Sequence, residues 1–326
     1  MRRALSDLEA GSTVVVACSG GADSLALCAA TVFEARARSV RVVGATVDHA
    51  LQLGSDLQAA RVVAQMAGLG VDETFTARVS VDLAGGLGPE AAARQARYAV
   101  LEQVAAHVGA VRVLLGHTLD DQAETVLLGL ARGSGPRSIA GMRRSFDGFV
   151  RPLLDVRRAQ TLAACAAEGL EVWHDPHNED PGYARVRVRT SVLPVLEAEL
   201  GPGVSEALAR TADALREDTE FLDELAERTW RSAEGTLAVD DLGGLHPAVR
   251  TRVLRLAALA AGVPAAELTR EHVLAVDRLV TAWRGQKWID LPGHVKVVRR
   301  DGRLHLTREH ASGPGHQGKG PVPGSG

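Results

Sequence analysis

Two stretches of the chain combine residue types that could bind a nucleotide and act on its phosphates. The first is Ser19-Gly20-Gly21-Ala22-Asp23-Ser24, which directly follows the apolar run Thr13 to Cys18. The glycines permit a tight turn with close backbone approach, and a helix beginning here would direct N–H groups toward an anion. The hydroxyls of Ser19 and Ser24 add donors, and the Asp23 carboxylate could act through Mg²⁺. The stretch predicts a phosphate loop. It is not a Walker A loop, because no lysine follows the glycines, and an unliganded turn remains the alternative.

The second stretch is Gly116-His117-Thr118-Leu119-Asp120-Asp121-Gln122-Ala123-Glu124-Thr125. In a helix, Asp121, Glu124 and Thr125 would share one face. Helix capping accounts for one carboxylate but not for two. The pair therefore predicts a pocket for a cation, either Mg²⁺ or an ammonium group.

Three further groups are weaker candidates. Asp48-His49 ends an apolar run and could face an adenosine, although a turn hydrogen bond explains it equally well. Arg94 and Arg97 follow a glycine-rich segment and could hold a phosphate or a carboxylate, or form ordinary surface ion pairs. The arginines at 185, 187 and 189 suit either a strand face or a helix. The proline context favours a helix that grips several phosphates, with a solvated helix as the alternative.

The elements that would position these residues alternate along the chain. Strand-like runs at 13–18, 40–47, 71–79 and 111–116 are separated by amphipathic stretches. Such alternation predicts an α/β fold with a parallel sheet and helices on both faces, Rossmann-like in organisation. Ligands bind outside the carboxyl ends of the strands in such sheets, where the candidate residues follow their strands.

The length of the chain and the distribution of its charges predict four successive segments. The chain has 326 residues, of which 46% are hydrophobic, and its net charge is −3. There are 4 Lys+Arg against 13 Asp+Glu in residues 197–241, but 12 against 5 in residues 242–308. We expect a catalytic domain over 1–196, an acidic helical connector over 197–241, a basic helical or α+β domain over 242–310 that contacts phosphates, and a disordered tail over 311–326.

Composition also predicts the role of the cysteines and the cellular location of the protein. The three cysteines, Cys18, Cys28 and Cys165, lie in apolar contexts without a C-x-x-C pair, which predicts packing residues rather than disulfides or a metal site. The start has no apolar signal segment, and no 18-residue apolar run occurs. We expect a cytoplasmic protein without a membrane partner.

With these motifs in hand, the chain resembles the tRNA(Ile)-lysidine synthases, which belong to the PP-loop ATP pyrophosphatases. The resemblance rests on an ordered series of motifs over residues 13 to about 196: SGGADS at 19–24, DH at 48–49, E-x-x-x-R-x-x-R-Y at 90–98, GHTLDDQAET at 116–125, RG at 132–133, RPLL at 151–154, DPHNED at 175–180, RVRVR at 185–189 and LP at 193–194. Residues 242–306 resemble the family's next domain more weakly. Val186 and His177 depart from the usual asparagine and serine.

The resemblance implies a C–N ligase of two steps. Mg²⁺-ATP adenylates the wobble cytidine of the CAU-anticodon tRNA(Ile) at its C2 oxygen, and the side-chain amine of free L-lysine then attacks C2 and expels AMP. It implies ATP binding by Ser19 to Ser24, Asp48, His49 and His117, with Asp23 as the Mg²⁺ residue. Lysine would be held by Asp121, Glu124, Arg94 and Arg97, with Asp121 or Glu124 as the base. The tRNA would be held by Arg185, Arg187, Arg189, Arg299 and Arg300. A homodimer is compatible with the sequence.

Three other classes share parts of this pattern. A PP-loop tRNA thiolase that acts through paired cysteines would need C-x-x-C motifs, which the chain lacks. An amidotransferase-coupled synthetase would need a glutaminase-like region, and none is visible. A non-enzymatic ATP-binding module would keep the glycine loop without the Asp121 and Glu124 pair.

Overall fold

The computed structural model describes residues 1–48, 55–78, 89–133, 135–175 and 179–308. The chain divides into two compact units, Met1–Arg216 and Glu217–Gly326. No helix in the described ranges is long and apolar enough to cross a bilayer.

The first unit is built on a six-stranded sheet. Its strands are β1 (Thr13–Ala17), β2 (Arg41–Asp48), β3 (Glu73–Arg78), β4 (Ala110–Leu114), β5 (Ser145–Phe146) and β6 (Phe149–Val150). They lie in the order β3-β2-β1-β4-β6-β5, and every neighbouring pair is parallel except the antiparallel hairpin β5-β6. The predicted parallel sheet is confirmed, with a short antiparallel edge added.

Nine helices of the described chain belong to or begin in this unit. They are α1 (Ala22–Arg36), α2 (Ser55–Leu69), α3 (Pro89–His107), α4 (Leu119–Arg132), α5 (Pro136–Ile139), α6 (Arg158–Ala167), α7 (Ala184–Arg187), α8 (Leu193–Leu200) and α9 (Val204–Ser232). Val14 and Val16 pack with the buried residues of α1, α2 and α6, whereas Val15 packs with those of α3 on the opposite face. Helices therefore cover both faces, which explains why β1 is continuously apolar.

The strand order places the candidate residues together. The chain runs from β1 to β2 on one side and later returns to β4 on the other, so the topology switches between β1 and β4. Ligand crevices form at such switch points, outside the carboxyl ends of the strands. The loop from β1 to α1 and the segment from β4 to α4 both leave the sheet there.

The second unit is a smaller α+β domain, as predicted. Its helices are α10 (Val239–Gly244), α11 (Pro247–Ala260) and α12 (Arg270–Thr281), and its strands are β7 (Leu237–Ala238), β8 (Ile289–Leu291), β9 (Val295–Arg300) and β10 (Arg303–Arg308). The strands form an antiparallel sheet in the order β7-β10-β9-β8. Val295, Val297 and Leu304 pack with Val253 and Leu279 in one core.

The predicted domain boundaries remain predictions. Residues 197–241 contain the end of α8, all of α9, β7 and the start of α10, and β7 pairs with β10 of the second sheet. The division between the compact units falls within α9. The predicted tail over 311–326 lies outside the described residues.

Candidate active site

The predicted phosphate loop connects β1 to the first turn of α1. Gly20 has φ 85°, and a Cβ there would approach Val62 Cγ2 to 2.6 Å, so this position requires glycine. The Ser24 hydroxyl accepts the Ser19 N–H at 3.1 Å and donates to the Gly21 carbonyl at 2.9 Å. These bonds brace the loop, and first-turn N–H groups without intrahelical partners are suited to an anion.

The segment after β4 lies directly against this loop. A Cβ at Gly116 would meet the Ser24 nitrogen at 3.0 Å and the Asp23 carbonyl carbon at 3.1 Å. Glycine at this position therefore lets the two motifs touch. The sequence predicted both motifs at one edge of the sheet, and the structure brings them into contact.

Asp121 has two roles at the start of α4. Its Oδ2 accepts the Thr118 N–H at 2.8 Å and the Thr118 hydroxyl at 3.0 Å, which caps the helix. Its Oδ1 accepts from Arg158 Nη2 at 2.8 Å. One oxygen thus serves the helix, and the other faces the site.

The Arg158 guanidinium joins the three predicted catalytic carboxylates. Its Nε lies 3.2 Å from Asp23 Oδ2, its Nη2 2.8 Å from Asp121 Oδ1 and its Nη1 3.5 Å from Glu124 Oε1. The sequence predictions did not include Arg158. The available signal was its position beside Arg157 at the start of a helix, shortly after Arg151-Pro152-Leu153-Leu154.

Glu124 is completely buried and is balanced mainly by Arg189. Arg189 Nε and Nη2 donate to the two Glu124 oxygens at 2.6 and 3.0 Å, and Arg185 Nη1 lies 3.7 Å away. Arg185 lies in α7 and Arg189 in the π-helical turn Val188–Val192 that follows it. The predicted helix over this segment is confirmed. Asp121 and Glu124 are thus paired with guanidinium groups of the same chain, and the predicted pocket for Mg²⁺ or an ammonium group stays a prediction.

The two carboxylates nearest the loop have opposite pKa shifts. Burial raises the pKa of Asp23, against the opposing effects of Thr161 and Arg158, and the neighbouring Asp121 charge raises it further. Burial also disfavours ionised Asp121, but Arg158, the Thr118 N–H and Arg189 outweigh it, so the pKa of Asp121 falls below its ordinary value. Asp121 is therefore held as a carboxylate, whereas burial makes the ionised form of Asp23 less stable than it is in water.

Comparison with known proteins identifies the family. A family model described as a PP-loop domain matches residues 1–196, and one described as the TilS substrate binding domain matches residues 237–305. The tRNA(Ile)-lysidine synthase of Thermobifida fusca is 55% identical over 312 residues, covering 95% of this chain and 96% of that protein. The enzyme of the same name from Streptomyces coelicolor is 54% identical over 301 residues, covering 90% and 85%. The chain belongs to the tRNA(Ile)-lysidine synthase family. The predicted class, an ATP-using C–N ligase of tRNA modification, is confirmed.

Among solved structures, the U34-tRNA thiolase NcsA from Methanococcus maripaludis has a TM-score of 0.56 and 18% identity, covering 66% of this chain and 77% of that one. At this identity the likeness concerns the fold alone. The three cysteines of this lysidine synthase family member are buried, and burial raises the pKa of the Cys28 thiol. They fit the predicted packing role.

A basic cluster adjoins the acidic one in this family member. Arg94 Nη2 donates to the Tyr98 hydroxyl at 3.0 Å, and the Arg97 guanidinium lies 5.9 Å from the Tyr98 ring. Arg151 is 5% exposed and reaches the same hydroxyl at 3.4 Å. Burial, together with Arg151, Arg94 and Arg97, lowers the pKa of His117 to about 3 despite Asp121. Neutral His117 thus borders three guanidiniums.

Two buried atoms of this cluster lack hydrogen-bond partners among the described residues. They are Arg151 Nε and His117 Nδ1. Buried polar atoms in native proteins are nearly always satisfied by protein, water or ligand. The cluster is therefore suited to an anionic group that would accept from Arg151.

The remaining predicted residues are Asp48 and His49, Arg187, and Arg299 and Arg300. Asp48 is the last residue of β2, and His49 lies outside the described residues. Arg187 donates to the carbonyls of Pro181 and Gly182 at 2.7 and 2.8 Å. In the second unit, Arg299 donates to the Leu279 carbonyl at 2.8 Å, whereas Arg300 is exposed. Arg187 and Arg299 thus brace the local backbone.

Proposed function

We propose that this chain makes lysidine: it ligates lysine to C2 of the wobble cytidine of the CAU-anticodon tRNA(Ile), through an adenylated cytidine. Membership of the family supports this reaction. The structural observation that carries it is the convergence of Asp23, Asp121 and Glu124 on one guanidinium beside the glycine loop. This arrangement would join a nucleotide site to a cation site.

The first step uses ATP. Residues Ser19 to Ser24 would hold the phosphates through the glycine turn and the start of α1, and Asp48, His49 and His117 would border the nucleotide. The cytidine C2 oxygen attacks the α-phosphorus, and pyrophosphate leaves. The loop and Arg158 would position the phosphates and neutralise their charge. Positioning and charge neutralisation supply most of the rate enhancement in such transfers.

Asp23 and Asp121 fit a bound Mg²⁺. They offer hard carboxylate oxygens, and both lie within 3.2 Å of the same Arg158 guanidinium, so the two carboxylates are close enough to share one cation. When bound, Mg²⁺ would neutralise phosphate charge. Asp23 is its principal proposed ligand.

The second step uses free L-lysine. We assign its amines to Asp121 and Glu124 and its carboxylate to Arg94 and Arg97. The guanidiniums seated on Glu124 support the amine site, and the unpartnered nitrogen of Arg151 supports an anion site next to it. Lysine binding then requires Arg189 to leave Glu124.

The lysine amine attacks C2, the bond from C2 to the adenylated oxygen breaks, and AMP departs. The attacking nitrogen must lose a proton. Both oxygens of Asp121 already accept hydrogen bonds, from Thr118 and from Arg158, and the pKa of Asp121 is lowered, whereas Glu124 is released when Arg189 leaves it. We therefore assign the base to Glu124.

The tRNA is proposed to bind through Arg185, Arg187 and Arg189 and through the second domain, whose family description is a substrate binding domain. A tRNA substrate is in keeping with the predicted cytoplasmic location. The predicted homodimer stays a prediction.

One assay tests the proposal. The protein is incubated with ATP, labelled lysine and a tRNA(Ile) transcript with the CAU anticodon, and both pyrophosphate and lysine in tRNA are measured. We expect equimolar products, and none with a matched transcript carrying uridine at the wobble position. Pyrophosphate release without lysine in the tRNA would contradict the proposal and favour another adenylating enzyme.

A further inference from the structure

We propose that the exposed face of the second sheet binds tRNA by stacking an unpaired nucleobase on Trp288 while neighbouring cations hold phosphates. This inference rests on the proposed function, because it names the face of the second domain that meets the tRNA. The surface is called the Trp288 face and comprises Trp288, Lys296, Val298, Arg300, Arg303 and His305.

Strand alternation defines this face. In β9, Val295 and Val297 are buried against the helices, so Lys296, Val298 and Arg300 point to the other side. In β10, Leu304 is buried and its neighbours Arg303 and His305 are exposed. The sheet is therefore covered on one face and presents its other face to solvent.

Trp288 is held in place on the exposed side. The residue is 46% exposed, its Nε1 donates to Asp290 Oδ2 at 3.0 Å, and Lys296 Nζ lies 5.0 Å from the ring centroid. The register places Lys296 opposite Asp290, so ring, cation and carboxylate occupy neighbouring positions. A large aromatic side chain fixed in solvent is a ready surface for a base, because every nucleobase has a stacking face.

The cations on this face are arranged for phosphate. Arg300 lies directly opposite Arg303, next to the turn Asp301-Gly302, and like charges opposite one another destabilise a sheet. Arg300 also lies 3.2 Å from Asp301, but both side chains are about four-fifths exposed, so this pair contributes little. An anion between the arginines would relieve their repulsion. With 12 basic against 5 acidic residues over 242–308, we commit to RNA rather than to a protein partner.

A second exposed tryptophan provides a matched control. Trp283 is 48% exposed, and the Arg299 guanidinium lies 4.7 Å from its ring. However, Arg299 faces the helices and donates to the Leu279 carbonyl at the end of α12. Trp283 thus shares the exposure and the stacked cation of Trp288 without belonging to the Trp288 face.

The test measures tRNA affinity of the full chain. We expect Trp288→Leu to weaken binding by about 5- to 150-fold, the range of one lost base stack, and Trp288→Phe to retain most of it. Trp283→Leu should bind as wild type. Arg300→Gln with Arg303→Gln should lower the slope of log affinity against log salt by about 1.5, as for two lost phosphate contacts, whereas Trp288→Leu should leave the slope unchanged.

The outcomes separate this inference from the proposed function. If wild type makes lysidine and Trp288→Leu binds tRNA normally, the Trp288 face is overturned and the function stands. The same conclusion follows if Trp283→Leu weakens binding equally, or if Trp288→Leu at saturating tRNA loses turnover rather than affinity. If Trp288→Leu does not fold, two other variants decide. Markedly weakened tRNA binding by Trp288→Phe, or an unchanged salt slope for Arg300→Gln with Arg303→Gln, overturns the Trp288 face. If wild type makes no lysidine, the proposed function fails first.

Discussion

Replacing Glu124 by glutamine separates the two steps of the proposed reaction, because it removes one charge and almost no volume. In the structure Glu124 is fully buried and faces Arg189 at 2.6 Å, Arg158 at 3.5 Å and Arg185 at 3.7 Å. Removing one partner of a buried ion pair costs about 3 to 5 kcal/mol of folding free energy. The three arginine side chains are 24–37% exposed and can turn to water, so we expect a loss of about 2 kcal/mol.

For a unit of this size, that loss lowers the melting temperature by about 4–8 °C. The control is Asp213→Asn, which removes a carboxylate 2.8 Å from Arg144 at a more exposed position and should shift the melting temperature by about 1–2 °C or less. Circular dichroism on both variants measures the difference.

Only the second step, the attack by lysine, should be impaired in Glu124→Gln. We expect kcat/KM for lysine to fall at least about 100-fold, because Glu124 is proposed both to bind the amine and to act as the base, and a general base alone contributes roughly 100- to 10,000-fold. AMP transfer from labelled ATP to tRNA in the absence of lysine should stay within about twofold of wild type. Equal loss of both steps would refute the assignment and place Glu124 with the ATP phosphates.

Further predictions concern other positions of the site. Asp23→Asn should abolish adenylation while the fold is kept, since a neutral amide is a poor Mg²⁺ ligand; near-normal turnover at saturating Mg²⁺ would contradict it. Arg189→Lys keeps a cation near Glu124 but loses the bidentate bond, so lysine should displace it more easily and KM for lysine should fall about threefold. An unchanged or higher KM would contradict the proposal that lysine displaces Arg189 from Glu124. His117 has a pKa of about 3 in the fold against 6.5 unfolded. The unfolded chain is protonated first, so about 2 kcal/mol of unfolding free energy should be lost from pH 7.5 to 5; denaturant melts of His117→Asn should show a flatter profile.

The sequence predicted the fold and the edge of the sheet that carries the site because both depend on local patterns. A continuous valine run predicts a strand covered on both faces, and glycines followed by a helix predict a phosphate turn. The pairing of Asp121 and Glu124 on one face followed from their spacing on one helix. These inferences need only residues that are neighbours in sequence.

The partners of those carboxylates could not be predicted in the same way. Arg158 meets Asp23 across 135 positions of the chain, and Arg189 meets Glu124 across 65. Nothing in the spacing of arginines tells whether a guanidinium will face a phosphate of RNA or a carboxylate of its own chain. The proposed Trp288 face was missed for a similar reason, because only the pairing of β8 with β9 brings Lys296 next to Trp288.

The burial of Glu124 explains why arginines contact it in the free protein, and it also predicts that lysine and tRNA affect each other's binding. A fully buried carboxylate without a cation costs several kcal/mol, on the order of the stability of a domain. The free protein must therefore fill the site that lysine is proposed to occupy, and it does so with Arg189 from a segment proposed to contact tRNA. If tRNA phosphates attract that segment, the same movement exposes Glu124 to lysine. Lysine affinity should then be higher in the presence of tRNA than in its absence, and by linkage lysine should raise the affinity for tRNA by the same factor.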